Sequence, residues 1–278
     1  MQNILVPVDF SEESAYALDL ASQLVTRGDV NIILSHAIEI VNYTDNTPEL
    51  DDTYKEKFLK TVLQKIDSFL IEAQVNIPDK SIKIEIDHPF SHILQLIEEE
   101  KIDLIVMGSK GHRNWKGVLI GSTTEKVIRH STCPVLITKD KTEISKIKEI
   151  SFATDLSNTP RWVIRALQEL LQLLDARLHI LKVITPNSWQ TNREIKKQMQ
   201  DFVKNYEFDN YSMNIYNDID AGTGIVHYTE DINAGLIAIA SHTKSDMSSV
   251  IHDYRVAERV VEGSQCLVWV CGLGDRLY

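Results

Sequence analysis

Gly108, Gly111 and Gly121 stand close behind the apolar run Leu104–Met107, and Ser122 and Thr123 come directly after Gly121. Only 11 of the 278 residues are glycine, about 4% against an average of ~7%, so such crowding needs a reason. Glycine lets a ligand approach the backbone without a Cβ in the way, and a loop that feeds a helix start turns backbone N–H groups toward an anion. The charges agree with that chemistry. No acid occurs between Leu104 and Thr124, whereas Lys110, His112, Arg113 and Lys116 all do. Ser122 and Thr123 add hydroxyl donors where a helix is expected to begin. The spacing predicts a phosphate-binding loop. It is neither GxxxxGK[ST] nor a GxGxxG behind the first strand, which disfavours a P-loop NTPase and a dinucleotide fold.

The rest of the chain must hold that loop at the end of a sheet. "NILVPV" (3–8) reads as a buried strand, and "SEESAYALDLASQLV" follows it with Ala15, Leu18, Ala21 and Val25 at helical spacing and Ser11 as N-cap. "VNIILSHAIEI" reads as a strand, residues 52–74 as a helix, "SIKIEI" as a strand, "SHILQLIEEEK" as a helix and "DLIVMG" as a strand. A helix over 122–131 and the strand "CPVLIT" complete the series. Strands that alternate with helices imply parallel pairing, right-handed crossovers and helices on both faces.

The order then repeats. "KEISFATDLSNTPRWVIRALQEL" has the layout of "QNILVPVDFSEESAYALDLAS", with Asp155 in the place of Asp9 and Pro160 early in the helix. "ARLHILKVI", "AGLIAIASHT" and "SQCLVWV" match the second, fourth and fifth strands. Asp9 and Asp155 are 146 positions apart but Gly108 and Ala240 only 132, so the second copy is 14 residues shorter, and the loss falls after its second strand. The polar stretch 139–146 is expected to link two α/β domains, residues 1–140 and 146–278.

Composition narrows the function. Hydrophobic residues are 43% and charged residues 25%, as in globular proteins, and the net charge of -11 argues against nucleic acid or an anionic membrane as a general partner. No signal-peptide core or membrane span is evident, so a cytoplasmic protein is expected. Cys133, Cys266 and Cys271 form no CxxC pair and are expected to be reduced and packed.

Gly108, Gly111, Gly121 and Ser122 stand at the separations G-x2-G-x9-G-[ST], and Asp9 lies in "VPVDFSEES". In both features the sequence resembles the universal stress protein family, and the likeness covers both halves as a tandem pair. It implies an open parallel five-stranded sheet of order 3-2-1-4-5 in each half, a Rossmann-like α/β fold. It also implies ATP binding, or AMP or ADP, with Mg2+ carried by the phosphates. Asp9 would take the adenine or ribose end, Pro7 and Ala37 would line the base pocket, and Met107 and Gly108 would meet the nucleoside. Gly111, Gly121, Ser122 and Thr123 would hold the phosphates, with Lys110 in the basic loop beside them. The resemblance further suggests that the apolar last strands pair, as an intramolecular pseudo-dimer or a homodimer, with Trp269 in the contact. A protein partner remains unnamed.

The second copy departs from the signature. Ala240, Thr243, Tyr254 and Arg255 replace Gly108, Gly111, Gly121 and Ser122. If those places needed glycine-only backbone, each would cost about 1–3 kcal/mol, and together they would remove most of the ~8 kcal/mol behind a micromolar site. The second site is expected to be silent or altered, with Asp155 reduced to capping a helix, Gly222 and Gly224 in a turn, and "SHTKSDMSSVIHDYR" a solvated loop. His36 is expected to be packed, not catalytic. No second carboxylate, nucleophile or metal set accompanies Asp9, so at most slow ATP hydrolysis is expected. A scaffold that binds no nucleotide is the other reading, and a weak ATPase the third.

Overall fold

Mostly apolar runs of four to eight residues form strands whose two faces are both covered, the pattern of a parallel sheet between helices. In chain order the elements are β1 (Asn3–Pro7), α1 (Glu12–Val25), β2 (Asn31–Ala37), α2 (Asp52–Glu72), β3 (Lys80–Glu85), α3 (Pro89–Glu99), β4 (Leu104–Gly108), α4 (Ser122–His130) and β5 (Val135–Thr138). A 3-10 turn at Ile144–Lys146 leads into β6 (Glu149–Ala153), α5 (Arg161–Leu174), β7 (Arg177–Ile184), α6 (Asn192–Tyr206), β8 (Tyr211–Asn217), α7 (Ala221–Asp231), β9 (Leu236–Ser241), α8 (Met247–Gly263) and β10 (Leu267–Gly272). The computed structural model describes residues 1–28, 30–38, 52–75, 80–110, 120–157, 159–241 and 247–272.

The expected pair of separate five-stranded sheets is corrected. One ten-stranded sheet runs β3-β2-β1-β4-β5-β10-β9-β6-β7-β8, and the order 3-2-1-4-5 survives only as the order within each half. Every pairing is parallel except β5 with β10, which is antiparallel, with Trp269 opposite Leu136. Two apolar last strands have thereby covered one another's exposed edges, the hazard that an unpaired strand carries. Lys139 clamps the joint by donating to the carbonyls of Glu262 (2.9 Å) and Ser264 (2.7 Å).

Two apolar layers flank the sheet. One packs Leu18 of α1, Ile66 of α2, Leu167 of α5 and Phe202 of α6 against Ile4, Phe152 and Trp269. The other packs Leu96 of α3, Val127 of α4, Ile225 of α7 and Val260 of α8 against Leu5, Ile237 and Val268. The stretch 139–146 is no loose linker, because Ile144 is buried and Gln23 of α1 accepts from its N–H at 3.0 Å while donating to the Thr142 carbonyl at 2.8 Å. Ser11 caps α1 as expected, its hydroxyl accepting from the Ser14 N–H. None of the three cysteines forms a disulfide, and Cys133 and Cys271 are buried.

Three local expectations fail for non-local reasons. Gly222 and Gly224 lie in the first turn of α7, not in a loop. A Cβ on Gly222 would come 2.9 Å from Arg259 Cδ, and one on Gly224 would come 2.6 Å from Val183 Cγ1. Within "SHTKSDMSSVIHDYR", everything from Met247 onward is helix. Asp155 does not cap α5, whose N-cap is Pro160; its Oδ1 accepts from the Ser157 N–H at 2.8 Å in a tight turn.

Candidate nucleotide-binding site

The carboxyl ends of β1, β2 and β4 bring Pro7, Ala37, Met107 and Gly108 to one edge of the sheet, where β1 lies between β2 and β4. Strand order reverses there, the place at which open α/β sheets hold ligands. Pro7 pairs with Ser35, and the Val8 N–H continues the ladder to the Ser35 carbonyl at 2.8 Å. The chain then breaks sharply. Phe10 takes φ 65°, a left-handed conformation uncommon outside glycine, and Leu156 repeats it in the second half at φ 67°. That turn carries Asp9 away from the strand and into the approach to α1. Asp9 Oδ1 accepts from the Ser11 N–H (3.1 Å) and hydroxyl (2.5 Å), which fixes the carboxylate beside the helix cap.

His36 packs on Phe10 with ring centroids 4.6 Å apart, and its Nδ1 lies 2.8 Å from the Val8 carbonyl. Lys65 Nζ sits 4.0 Å from the Phe10 ring centre. Burial holds the His36 pKa below its ordinary value, the Val8 bond opposing this in part. The ring is packed against Phe10 and held by Val8.

Met107 is 5% exposed and belongs to the core layer behind the site. Gly108 also has a packing role. A Cβ on it would stand 2.6 Å from Glu13 Cβ and 2.9 Å from the Glu13 carbonyl carbon, so its bare backbone lets the first turn of α1 rest on the end of β4. Thr124 locks the other side, its hydroxyl donating to the Gly108 carbonyl at 3.0 Å. The Gly121 N–H donates to the Ser109 carbonyl at 2.7 Å, which ties the start of α4 to the end of β4.

Gly121 is the N-cap of α4 with φ -69° and ψ 144°, angles that any residue adopts, and no side chain caps the helix. Its value lies in what it withholds. A Ser, Thr, Asp or Asn there would turn an oxygen onto the first amides, whereas glycine leaves the N–H groups of the opening turn and the positive end of the helix dipole to a ligand. Ser122 and Thr123 begin that turn. Lys110 directly follows Ser109 and lies close enough to Lys139 to help depress the Lys139 pKa, after burial as the main cause. Gly111, His112, Arg113, Trp115 and Lys116 lie outside the described residues. Among the described residues no group of His, Cys, Asp and Glu is arranged to hold a metal ion, and no helix is long and apolar enough to cross a membrane.

The second half has lost this arrangement through its helix. One offset of 146 residues relates Asn3 to Glu149 and Asn31 to Arg177. At the last strand Val268 answers to Val135, since each pairs with its inner neighbour in the same register. By that register Arg255 answers to Ser122, yet α8 already starts at Met247. Eight residues, about 12 Å of helix, lie before the place where α4 begins. The amides that α4 leaves open are spent inside α8. The second half thus differs here by helix extension, not by strained backbone, because Gly121 itself needs no glycine-only angle. Thr243 and His242 lie outside the described residues.

The geometry can be set against known proteins. The family model of the universal stress protein family matches residues 1–139, half of the chain. This chain belongs to the universal stress protein family. It is 31% identical to "Universal stress protein MJ0577" of Methanocaldococcus jannaschii over 156 residues, covering 50% of this chain and 96% of that one. A universal stress protein structure from Archaeoglobus fulgidus aligns over 98% of both chains with a TM-score of 0.73 and 22% identity, a likeness of fold that extends through the second half. A protein from Pseudomonas aeruginosa aligns over 98% of this chain and 93% of its own with a TM-score of 0.69 and 18% identity. A universal stress protein solved in complex with cAMP is 24% identical over 50% of this chain and 96% of its own, with a TM-score of 0.37.

Proposed function

We propose that the first half of this cytoplasmic stress-response protein binds ATP, with Mg2+ carried by the phosphates, and that occupancy sets its conformation or association. The observation behind this reading is the start of α4, which no side chain caps and which the Gly121 N–H ties to Ser109 at the end of β4, with Lys110 next in the chain and Ser122 and Thr123 in the opening turn. Asp9, Pro7 and Ala37 would receive the nucleoside end, where a carboxylate suits ribose hydroxyls. Gly108 and Met107 would back it. Gly111 is assigned to the phosphate loop on its spacing alone.

The residues present suit binding better than turnover. Asp9 is the carboxylate nearest the proposed nucleoside end, and one of its oxygens already serves Ser11. ADP or AMP would use the same nucleoside contacts with fewer phosphate contacts. A scaffold that binds no nucleotide is the rival reading.

Native mass spectrometry of protein purified without added nucleotide, followed by calorimetric titration with Mg-ATP, separates them. One equivalent bound per chain, lost in Gly121→Asp, supports the site, since the new carboxylate would cap α4 and repel phosphate. No retained nucleotide and no heat up to about 5 mM Mg-ATP leaves the scaffold. If ATP turns over and Asp9→Asn lowers turnover more than affinity, the protein is an ATPase.

A further inference from the structure

The second half contains a cavity of about 780 Å³ at the carboxyl ends of β6, β7 and β9, roofed by α8 and the start of α7. That volume falls within the range of small-molecule sites, roughly 300–1,000 Å³. Its apolar lining comes from Leu181 and Ile239 of the strands and from Ile225 and Val256 of the helices. Ile219, 77% exposed, adds an apolar side chain at the mouth. Ala153, Asp155 and Val183 line it from the places that Pro7, Asp9 and Ala37 hold in the first half.

The charges around the cavity argue against a polyanion. Lys182, Arg255 and Arg259 stand among four carboxylates, Asp155, Asp220, Glu258 and Glu262. Two of the cations are already engaged. Arg259 pairs with Asp220 at 2.8 Å, and Lys182 Nζ donates to the Asp155 carbonyl at 2.8 Å. The wall is therefore no more positive than negative, and α8 offers no open amides at the position where α4 does. What remains is an apolar slot with hydroxyl-binding groups at its edge: the Asp155 carboxylate, Thr154, and Thr185 with Ser188, whose hydroxyls lie 2.9 Å apart.

We propose that this cavity binds a neutral, hydroxyl-bearing ring compound of nucleoside size and discriminates against nucleotide polyphosphates. The flat ring would lie on Leu181, Ile225 and Ile239, and the hydroxyls would meet Asp155. The burial that lowers the Lys182 pKa also fits a wall without spare positive charge.

The test titrates the full chain with adenosine, guanosine, uridine and thymidine by calorimetry, in the presence of saturating Mg-ATP. At least one nucleoside should bind with one equivalent per chain. Val256→Trp, which fills the slot from the helix side, and Asp155→Ala, an exposed change in a turn, should each weaken it by about tenfold or more. In the Gly121→Asp chain, ATP should bind this cavity at least about tenfold more weakly than that nucleoside. No heat with any of the four up to about 5 mM overturns the proposal, as does nucleoside binding that ignores both variants or ATP binding here as tightly as the nucleoside. Should Val256→Trp fail to fold by circular dichroism, Asp155→Ala decides. ATP affinity in the first half is read separately, so its absence would not be confused with failure here.

Discussion

Gly108 and Glu13 touch so closely that a single added methyl would overlap: a Cβ on Gly108 would lie 2.6 Å from Glu13 Cβ. The second half carries that methyl. Ala240 stands in the place of Gly108, and α5, which the 146-residue offset would start at position 158, starts at Arg161 instead. Gly108→Ala should therefore force the first turn of α1 away from β4. A loss of about 1–3 kcal/mol is expected, the usual cost of overpacking, seen as a lower urea midpoint with an unchanged slope. Since that turn carries Ser11 and the Asp9 contact, nucleotide affinity should fall with it.

Trp269 is completely buried in the joint between the halves, and its Nε1–H has no hydrogen-bond partner among the described residues. The ring contributes packing and the N–H detracts. Trp269→Phe should thus cost far less than Trp269→Ala, for which about 3–5 kcal/mol is expected. Thermal melts of the two variants against the parent chain would separate them.

Lys139 supplies a donor to two carbonyls across the same joint. Lys139→Met keeps most of the stem and leaves both carbonyls short of a partner, so a destabilisation of about 1–3 kcal/mol is expected. Hydrogen exchange should quicken first at β5 and β10, with the outer strands little changed.

His36 gives the fold a pH dependence of known sign. Its pKa is lowered in the folded state by burial, so the unfolded chain takes up the proton more readily. The stability tied to the neutral ring is fully present above the ordinary histidine value of about 6.5 and is lost as pH falls through the lowered folded value. Urea midpoints measured from pH 7.5 to 5 should decline less steeply for His36→Phe than for the parent. An equal decline would remove His36 as the source.

Much of this was legible because parallel strands covered on both faces read as short apolar runs, and because the pattern occurs twice. Ser11 and the helix after Gly121 could be placed from local chemistry alone. What local chemistry does not contain is which distant strand completes an edge. β5 and β10 are far apart in the chain, so their pairing was expected from the family resemblance alone, while the residues themselves read as two separate sheets. Gly222 and Gly224 misled for the same reason: Arg259 and Val183, which require them to be bare, are remote in sequence. The polar start of α8 resembled a loop because nothing in its composition announces that it extends the helix ahead of the place where α4 begins in the first half. Gly121 does not adopt the glycine-only backbone angle that its residue type suggested.

The antiparallel joint between β5 and β10 has a geometric consequence. Within each half all strands run the same way, so reversing direction at the joint points the two halves' carboxyl ends toward opposite margins of the sheet. The two candidate sites open in opposite directions. Ligands in them could never touch, and a protein docked over one mouth would leave the other free. Communication between the sites has the shared joint of β5 and β10, where Trp269 and Lys139 sit, and also the contacts of the first half with α5, where the Met1 amine pairs with Glu169 at 2.8 Å and Arg27 donates to the Leu173 carbonyl at 3.0 Å, so the chain is built as a two-ended device tied at more than one place.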